Sequence, residues 1–235
     1  MVVDSSTPVR LVLLGGFELR LGERPLHLPL SAQRLLAFLA LHDRPLSRLF
    51  VAGSLWPDTA EVRSFANLRS ALWRLRRPGT ALVKSTAQHL NLHPDVAVDL
   101  RETTDLVHRI LDTSADVDPG ALATLYESND LLLDWYFDWV LIERERFRQL
   151  RLHALEVLCE RLTRAGRFAH AVQAGLAAVT GEPLRESAQR VLIRAYLGEG
   201  NRSEAFHQYQ SYRNALHREL RLEPSSQLTE LVRFA

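Results

Sequence analysis

Apolar and polar positions alternate in period two near the start of this chain and switch to helical spacing soon after. Val9-Arg10-Leu11-Val12-Leu13-Leu14 is followed by Gly15-Gly16. Phe17-Glu18-Leu19-Arg20-Leu21 then leads to the turn Gly22-Glu23-Arg24-Pro25. These read as short strands, with Leu26-His27-Leu28 placed to pair back as a hairpin. Ser31 reads as the N-cap of a helix through Leu41, with Leu35, Leu36, Leu39 and Ala40 inward. Ser47 reads as the cap of a second helix, which Pro57 ends after Leu55-Trp56.

The third helical stretch carries the most information. Over residues 62–77, Phe65, Leu68, Leu72 and Leu75 recur at the spacing of one buried stripe. The opposite face carries Arg63, Asn67, Ser70, Arg74 and Arg77, flanked by Arg69 and Trp73, and Pro78-Gly79 stops the helix. The window holds five arginines and no acid. A solvated surface helix is the plainer alternative, but such helices mix signs, as the later ones here do. A helix anchored on one side and basic on the other suits a DNA major groove: cations meet phosphates, and guanidinium and amide forks meet base edges.

Two strand-like pieces follow, 81–86 and His89-Leu90-Asn91-Leu92, around a short turn. Sheet, three helices and hairpin is the order of a winged helix-turn-helix, whose third helix enters the major groove while the wing lies along the backbone or minor groove. Lys84, Ser85, Thr86 and Gln88 are then candidate wing contacts, or simply a solvated hairpin tip.

Beyond Asp99 the pattern is helical almost throughout. Candidate helices are Leu100–Leu111, Pro119–Tyr126, Glu143–Arg164, Phe168–Thr180, Leu184–Leu197 and Ser203–Leu220. An internal repeat at an offset of 34 aligns Leu158 with Leu192, Leu162 with Tyr196, Gly166 with Gly200 and Ala171 with Ala205. Phe168, Ala178 and Pro183 complete the tetratricopeptide spacing in the first copy, while Arg202 and His217 depart from it in the second. Two imperfect copies need other helices to cap them. The fold class expected is therefore α+β: an N-terminal winged helix-turn-helix over residues 1–98, then an all-α tetratricopeptide-like domain over 99–235.

Composition divides the chain at the same place. The formal charge of +1 on 235 residues conceals a basic front, 12 cations against 7 acids over 1–98, and an acidic back, 17 against 21. Only the front is expected to meet nucleic acid. The lone Cys159 excludes an internal disulfide and sits in an apolar-periodic run, as a packing residue does. No apolar run approaches a membrane span and no secretion signal is visible, so a cytoplasmic location is expected. His89, His93 and Asp95 offer too few ligands for a metal site, and no phosphate loop or nucleophile elbow is present. Neither enzyme activity nor a cofactor is expected. Asp134-Trp135-Tyr136-Phe137-Asp138-Trp139 reads as packing between layers, with a partner surface as the alternative.

Taken in order, four motifs resemble one family. Leu55-Trp56-Pro57-Asp58 leads into residues 67–77, and Asp138-Trp139-Val140-Leu141-Ile142-Glu143-Arg144-Glu145-Arg146 opens a long helix. Glu182-Pro183-Leu184-Arg185-Glu186 joins the repeats, and Glu219-Leu220-Arg221-Leu222-Glu223-Pro224-Ser225 leads to the end. The layout resembles the Streptomyces antibiotic regulatory protein (SARP) family of bacterial activators: an OmpR/PhoB-like winged helix followed by the bacterial transcriptional activator domain. One departure is the wing, where relatives close with a Gly-Tyr-Arg-Leu-like strand and this chain has Gln88-His89-Leu90-Asn91-Leu92.

The resemblance implies a transcriptional activator that binds direct repeats beside a promoter as paired protomers and contacts RNA polymerase or its sigma factor. It places DNA contacts at Arg69, Trp73, Arg74 and Arg76; Arg74 is also on the outward face read from spacing. No phosphoacceptor domain of the OmpR/PhoB kind and no ATP-binding module is expected in the chain. Two other readings stay open: a helical-repeat scaffold or ligand-binding adaptor whose winged helix serves protein interaction, and a repressor using the same DNA contacts.

Overall fold

The computed structural model describes residues 8–76, 80–112, 125–126 and 129–233. They fall into two units. The first comprises the chain up to Glu102 together with Asn129–Arg144, and the second comprises Thr103–Ser128 and the rest. The compact units divide after Glu102, and the segment 129–144 returns to the first.

The first unit opens with β1 (Val9–Val12), β2 (Glu18–Leu21) and β3 (Arg24–Pro25). They form a four-stranded sheet in the order β3-β2-β1-β7, where β7 (Val96–Val98) lies parallel to β1 with Val9 opposite Val96. Strand β7 was not expected, because three residues are too short to display a period. The hairpin with β2 closes through Arg24 and Pro25 rather than through 26–28, although the Leu26 N–H donates to the Leu19 carbonyl at 2.7 Å. Alternation sends Val9, Leu11, Leu13 and Leu19 into the core.

Helix α1 (Leu30–Ala40) follows. Its N-cap is Pro29 with no side-chain bond, so the expected Ser31 cap is corrected: Ser31 lies within the first turn. Leu35, Leu36, Leu39 and Ala40 are buried as expected, and Phe38 on another side is buried too. Strand β4 (Leu46–Ser47) precedes α2 (Arg48–Leu55), where the Ser47 Oγ accepts the Phe50 N–H at 3.2 Å as a cap should. Then come α3 (Glu61–Leu75), β5 (Val83–Ser85) and β6 (His89–Leu92). A second sheet of order β4-β6-β5 makes the wing.

What covers Phe38 is the returning segment 129–144. Leu14 bridges Leu131, the Gly15 N–H donates to the Asp130 carbonyl, and the Leu132 N–H donates to the Leu13 carbonyl, both at 2.8 Å. Trp139 meets Phe38 edge-on at 5.3 Å, Trp135 stacks on Phe17 at 5.8 Å, and Phe137 stacks on Trp139 at 6.1 Å. The Arg34 guanidinium lies 4.2 Å from the Phe137 ring centre and donates to the Leu55 carbonyl; burial holds it below its ordinary pKa. Packing is thus the role of Trp135, Phe137 and Trp139, while Tyr136 is exposed. The Asp99 carboxylate ties the same region together by accepting the N–H groups of Leu13, Leu14 and Leu100 at 2.9, 3.0 and 2.7 Å.

The second unit is helical. It takes most of α4 (Asp99–Leu111) and of α5 (Asp138–Arg164), followed by α6 (Phe168–Gly181), α7 (Glu186–Glu199), α8 (Arg202–Leu220) and α9 (Ser226–Arg233). Of the expected helix Pro119–Tyr126, residues 119–124 lie outside the described residues. Helix α5 begins five residues before the expected Glu143, and α9 was not foreseen. The repeat has a physical basis. Gly166 and Gly200 adopt φ of +71° and +90° at the inter-helix turns, and Ala171 and Ala205 are fully buried. A Cβ at Gly175 would meet Leu192 at 3.0 Å, so α6 and α7 approach where no side chain fits. Helix α9 caps the array: Glu186 accepts the Ser225 N–H at 3.0 Å, and Leu228 is fully buried. Cys159 is fully buried near the Val191 carbonyl, and burial pushes its thiol up to about 12. Among the described residues no helix is long and apolar enough to cross a membrane.

Candidate nucleic-acid interface

Helix α3 is seated by Ser64, Leu68, Ala71 and Leu75. The expected stripe is therefore rotated slightly: Phe65 and Leu72 are half-buried on its flank rather than central. The small Ser64, whose Oγ donates to the Glu61 carbonyl at 2.8 Å, and Ala71 let the backbone approach its neighbours. Arg63, Arg69, Ser70, Trp73 and Arg74 are exposed on the other side, and Asn67 is half-buried. Trp73 is 71% exposed, which no packing role explains.

The helix stops at Leu75. Arg76 is its C-cap in extended conformation, φ −67° and ψ 121°, so it leaves the helical wheel. Arg77 lies outside the described residues.

On the wing, Lys84, Ser85 and Thr86 are exposed, as are Gln88 and His89. Strand β5 pairs with β6 through Val83–Leu92, Lys84–Asn91 and Ser85–Leu90. Thr86 closes the turn: its Oγ1 accepts the His89 N–H at 2.9 Å, and its own N–H donates to the His89 carbonyl at 2.9 Å. The glycine that the family places here is not needed, since Gln88 and His89 are not among the residues with positive φ. Among the described residues no group of three or more metal-ligating side chains occurs; His93 Nδ1 faces Asp95 at 3.5 Å.

One residue absent from the sequence-based set belongs here. Arg48, first in α2, donates from Nε to the Thr86 carbonyl at 3.0 Å and from Nη2 to the Ser85 Oγ at 2.6 Å. The signal was available: a cation in the first turn of a helix opposes the helix dipole, so its side chain has business elsewhere. Arg48, Arg69, Trp73 and Arg76 line a cleft of about 1060 Å³ between α3 and the wing, opposite Val83 and Ser85.

Electrostatics set this face apart. Among the described residues no carboxylate pairs with Arg63, Arg69, Arg74 or Arg76; the Arg74 Nη1 donates instead to the Ser31 Oγ at 2.9 Å. In the second unit many arginines are paired with carboxylates: Arg148 with Glu145 and Glu182, Arg164 with Glu160, Arg185 with Glu156, Arg213 with Glu223 and Arg218 with Glu219.

Residues 98–233 match the bacterial transcriptional activator domain family. Mycobacterium tuberculosis EmbR, solved in complex with a low affinity phosphopeptide, has a similar fold: TM-score 0.69 at 21% identity, over 97% of this chain and 65% of that one. The chain thus spans somewhat under two thirds of that solved chain. No curated protein matches the sequence significantly. A winged helix with a basic third helix, followed by a capped helical array whose residues 98–233 carry the family match, leads to one assignment: the chain belongs to the bacterial transcriptional activator domain family.

Proposed function

We propose that the protein is a sequence-specific DNA-binding activator. Helix α3 enters the major groove with Arg63, Asn67, Arg69, Ser70, Trp73 and Arg74 toward the duplex. Arg76 and Arg77 continue that basic line, and Lys84, Ser85 and Thr86 bring the wing to the adjacent backbone or minor groove. The protein binds tandem promoter-proximal repeats as paired protomers, and the helical array supplies self-association, contact with RNA polymerase or its sigma factor, or both.

The supporting observation is the row of α3 guanidinium groups that no carboxylate among the described residues neutralises, in a protein whose other unit pairs many of its own. Unpaired cations on one face gain most from an anionic partner, and the phosphate backbone supplies one about every 1.7 Å of duplex axis.

The test is to sequence genomic fragments retained by the purified full chain. Direct repeats about one helical turn apart, roughly 10–11 bp, or a multiple of that, are expected, because whole turns put two protomers on one side of the duplex. Retention without any sequence enrichment would remove the reading. Binding of protein partners with no DNA retained would favour the scaffold alternative.

A further inference from the structure

Arg48 does more than fill space beside the wing. Its Nε and Nη2 hold the Thr86 carbonyl and the Ser85 hydroxyl on one side of the hairpin, while its backbone N–H donates to the Gln88 carbonyl at 2.9 Å on the other. Strand β4 continues the grip, pairing Ser47 with His89. The wing tip is therefore located by the start of α2, the element that also packs against α3. Among the described residues the Arg48 Nη1 has no partner, and the guanidinium lines the cleft together with Arg69 and Arg76. No carboxylate is among the described residues of that lining, and Trp73 and Val83 give it apolar walls.

We propose that Arg48 braces the wing against the helices and presents a fixed N–H to a phosphate of the DNA strand that crosses the α3–wing cleft. This rests on the DNA-binding reading above and adds to it a contact outside α3 and the wing. The chemistry fits a phosphodiester strand. Its anionic oxygens match three guanidinium groups, and its deoxyribose faces match an indole and a valine. A guanidinium already held by two hydrogen bonds loses little freedom when a third acceptor arrives, so the contact costs less entropy than one made by a free side chain.

The experiment uses the full chain on its selected DNA, with the variants Arg48→Ala, Arg48→Lys and Ser85→Ala. It reads affinity against salt, hydroxyl-radical protection at the wing, and methylation interference in the major groove. Arg48→Ala is expected to weaken binding about tenfold and to lower the salt slope by about 0.9, the loss of one phosphate contact. Wing protection is lost while major-groove interference stays. Ser85→Ala carries no charge change, so the slope stays and binding weakens only a few-fold. Arg48→Lys keeps the slope but loses wing protection, because an ammonium cannot span both acceptors. That variant also carries the test if Arg48→Ala does not fold.

Wild-type DNA selection combined with unchanged slope and unchanged protection in Arg48→Ala overturns the role of Arg48 while leaving the parent reading intact. Wing protection retained in Arg48→Lys overturns the brace. A wild-type chain that selects no DNA removes the parent reading, and this inference with it.

Discussion

Arg74 Nη1 donates to Ser31 Oγ at 2.9 Å, linking the outward face of α3 to the first turn of α1. The bond restrains the guanidinium and leaves its remaining donors free, as the proposed contact with a base edge requires. Arg74→Ala is expected to reduce specific binding by about 1–3 kcal/mol, the size of a lost base fork. Ser31→Ala keeps the charge and costs less, on the order of 0.5–1 kcal/mol, the worth of one hydrogen bond. A mobility-shift titration that finds affinity and sequence preference unchanged in Arg74→Ala removes this residue from base reading.

Phe137 supports both the Arg34 guanidinium and the Trp139 ring. Phe137→Ala therefore exposes a half-buried cation and unstacks an indole. A loss on the order of 2–3 kcal/mol is expected, between the worth of a cation–π contact and that of a fully buried phenylalanine. Chemical denaturation measures it, and a stability within 0.5 kcal/mol of wild type would show the ring to be dispensable.

Burial raises the Cys159 thiol to about 12, so folded protein holds this proton more tightly than unfolded protein does. Its contribution to stability is full below the unfolded thiol value near 8.5 and is lost as pH rises toward the folded one. The difference in unfolding free energy between wild type and Cys159→Ala should shrink from about pH 9 upward. The native thiol should also resist an aromatic disulfide reagent at pH 8 and react once urea unfolds the chain. Rapid labelling of native protein would contradict the burial.

Gly175→Ala tests the α6–α7 contact. Its new Cβ would stand 3.0 Å from Leu192 Cβ and 3.1 Å from Leu192 Cα, where the backbone must give way. Overpacking of this kind costs about 1–3 kcal/mol. A thermal midpoint equal to that of wild type would show that the helices part freely.

Long periodic segments were legible in advance. The Ser47 cap, the wing strands, the inter-repeat glycines and the basic helix follow from spacing and residue type alone. What escaped notice has physical causes. Leucine and phenylalanine dominate any hydrophobic tally, so Phe65 and Leu72 outweighed Ser64 and Ala71, although small residues mark the closest approach of a helix. Ser31 looks like a cap by type, but Pro29, which fixes its own φ, starts the helix two residues earlier. Arg76 came from the family resemblance rather than from the wheel, and the extended C-cap it occupies leaves no periodic trace. For Arg48, its place in the first turn of α2 hints at a partner elsewhere, but the partners themselves, a carbonyl and a hydroxyl 38 and 37 residues away, are encoded by no periodicity.

The backbone leaves the first unit after Glu102 and comes back at Asn129 to complete it. Exchange of the winged helix between relatives at a single junction near residue 98 would set Phe17, Phe38, Arg34 and the backbone of Leu13 and Gly15 against a segment from the other parent. A viable chimera must carry 129–144 from the same parent as the winged helix. Recombination can therefore trade this winged helix intact only as two separated pieces of gene, on either side of the codons for 103–128.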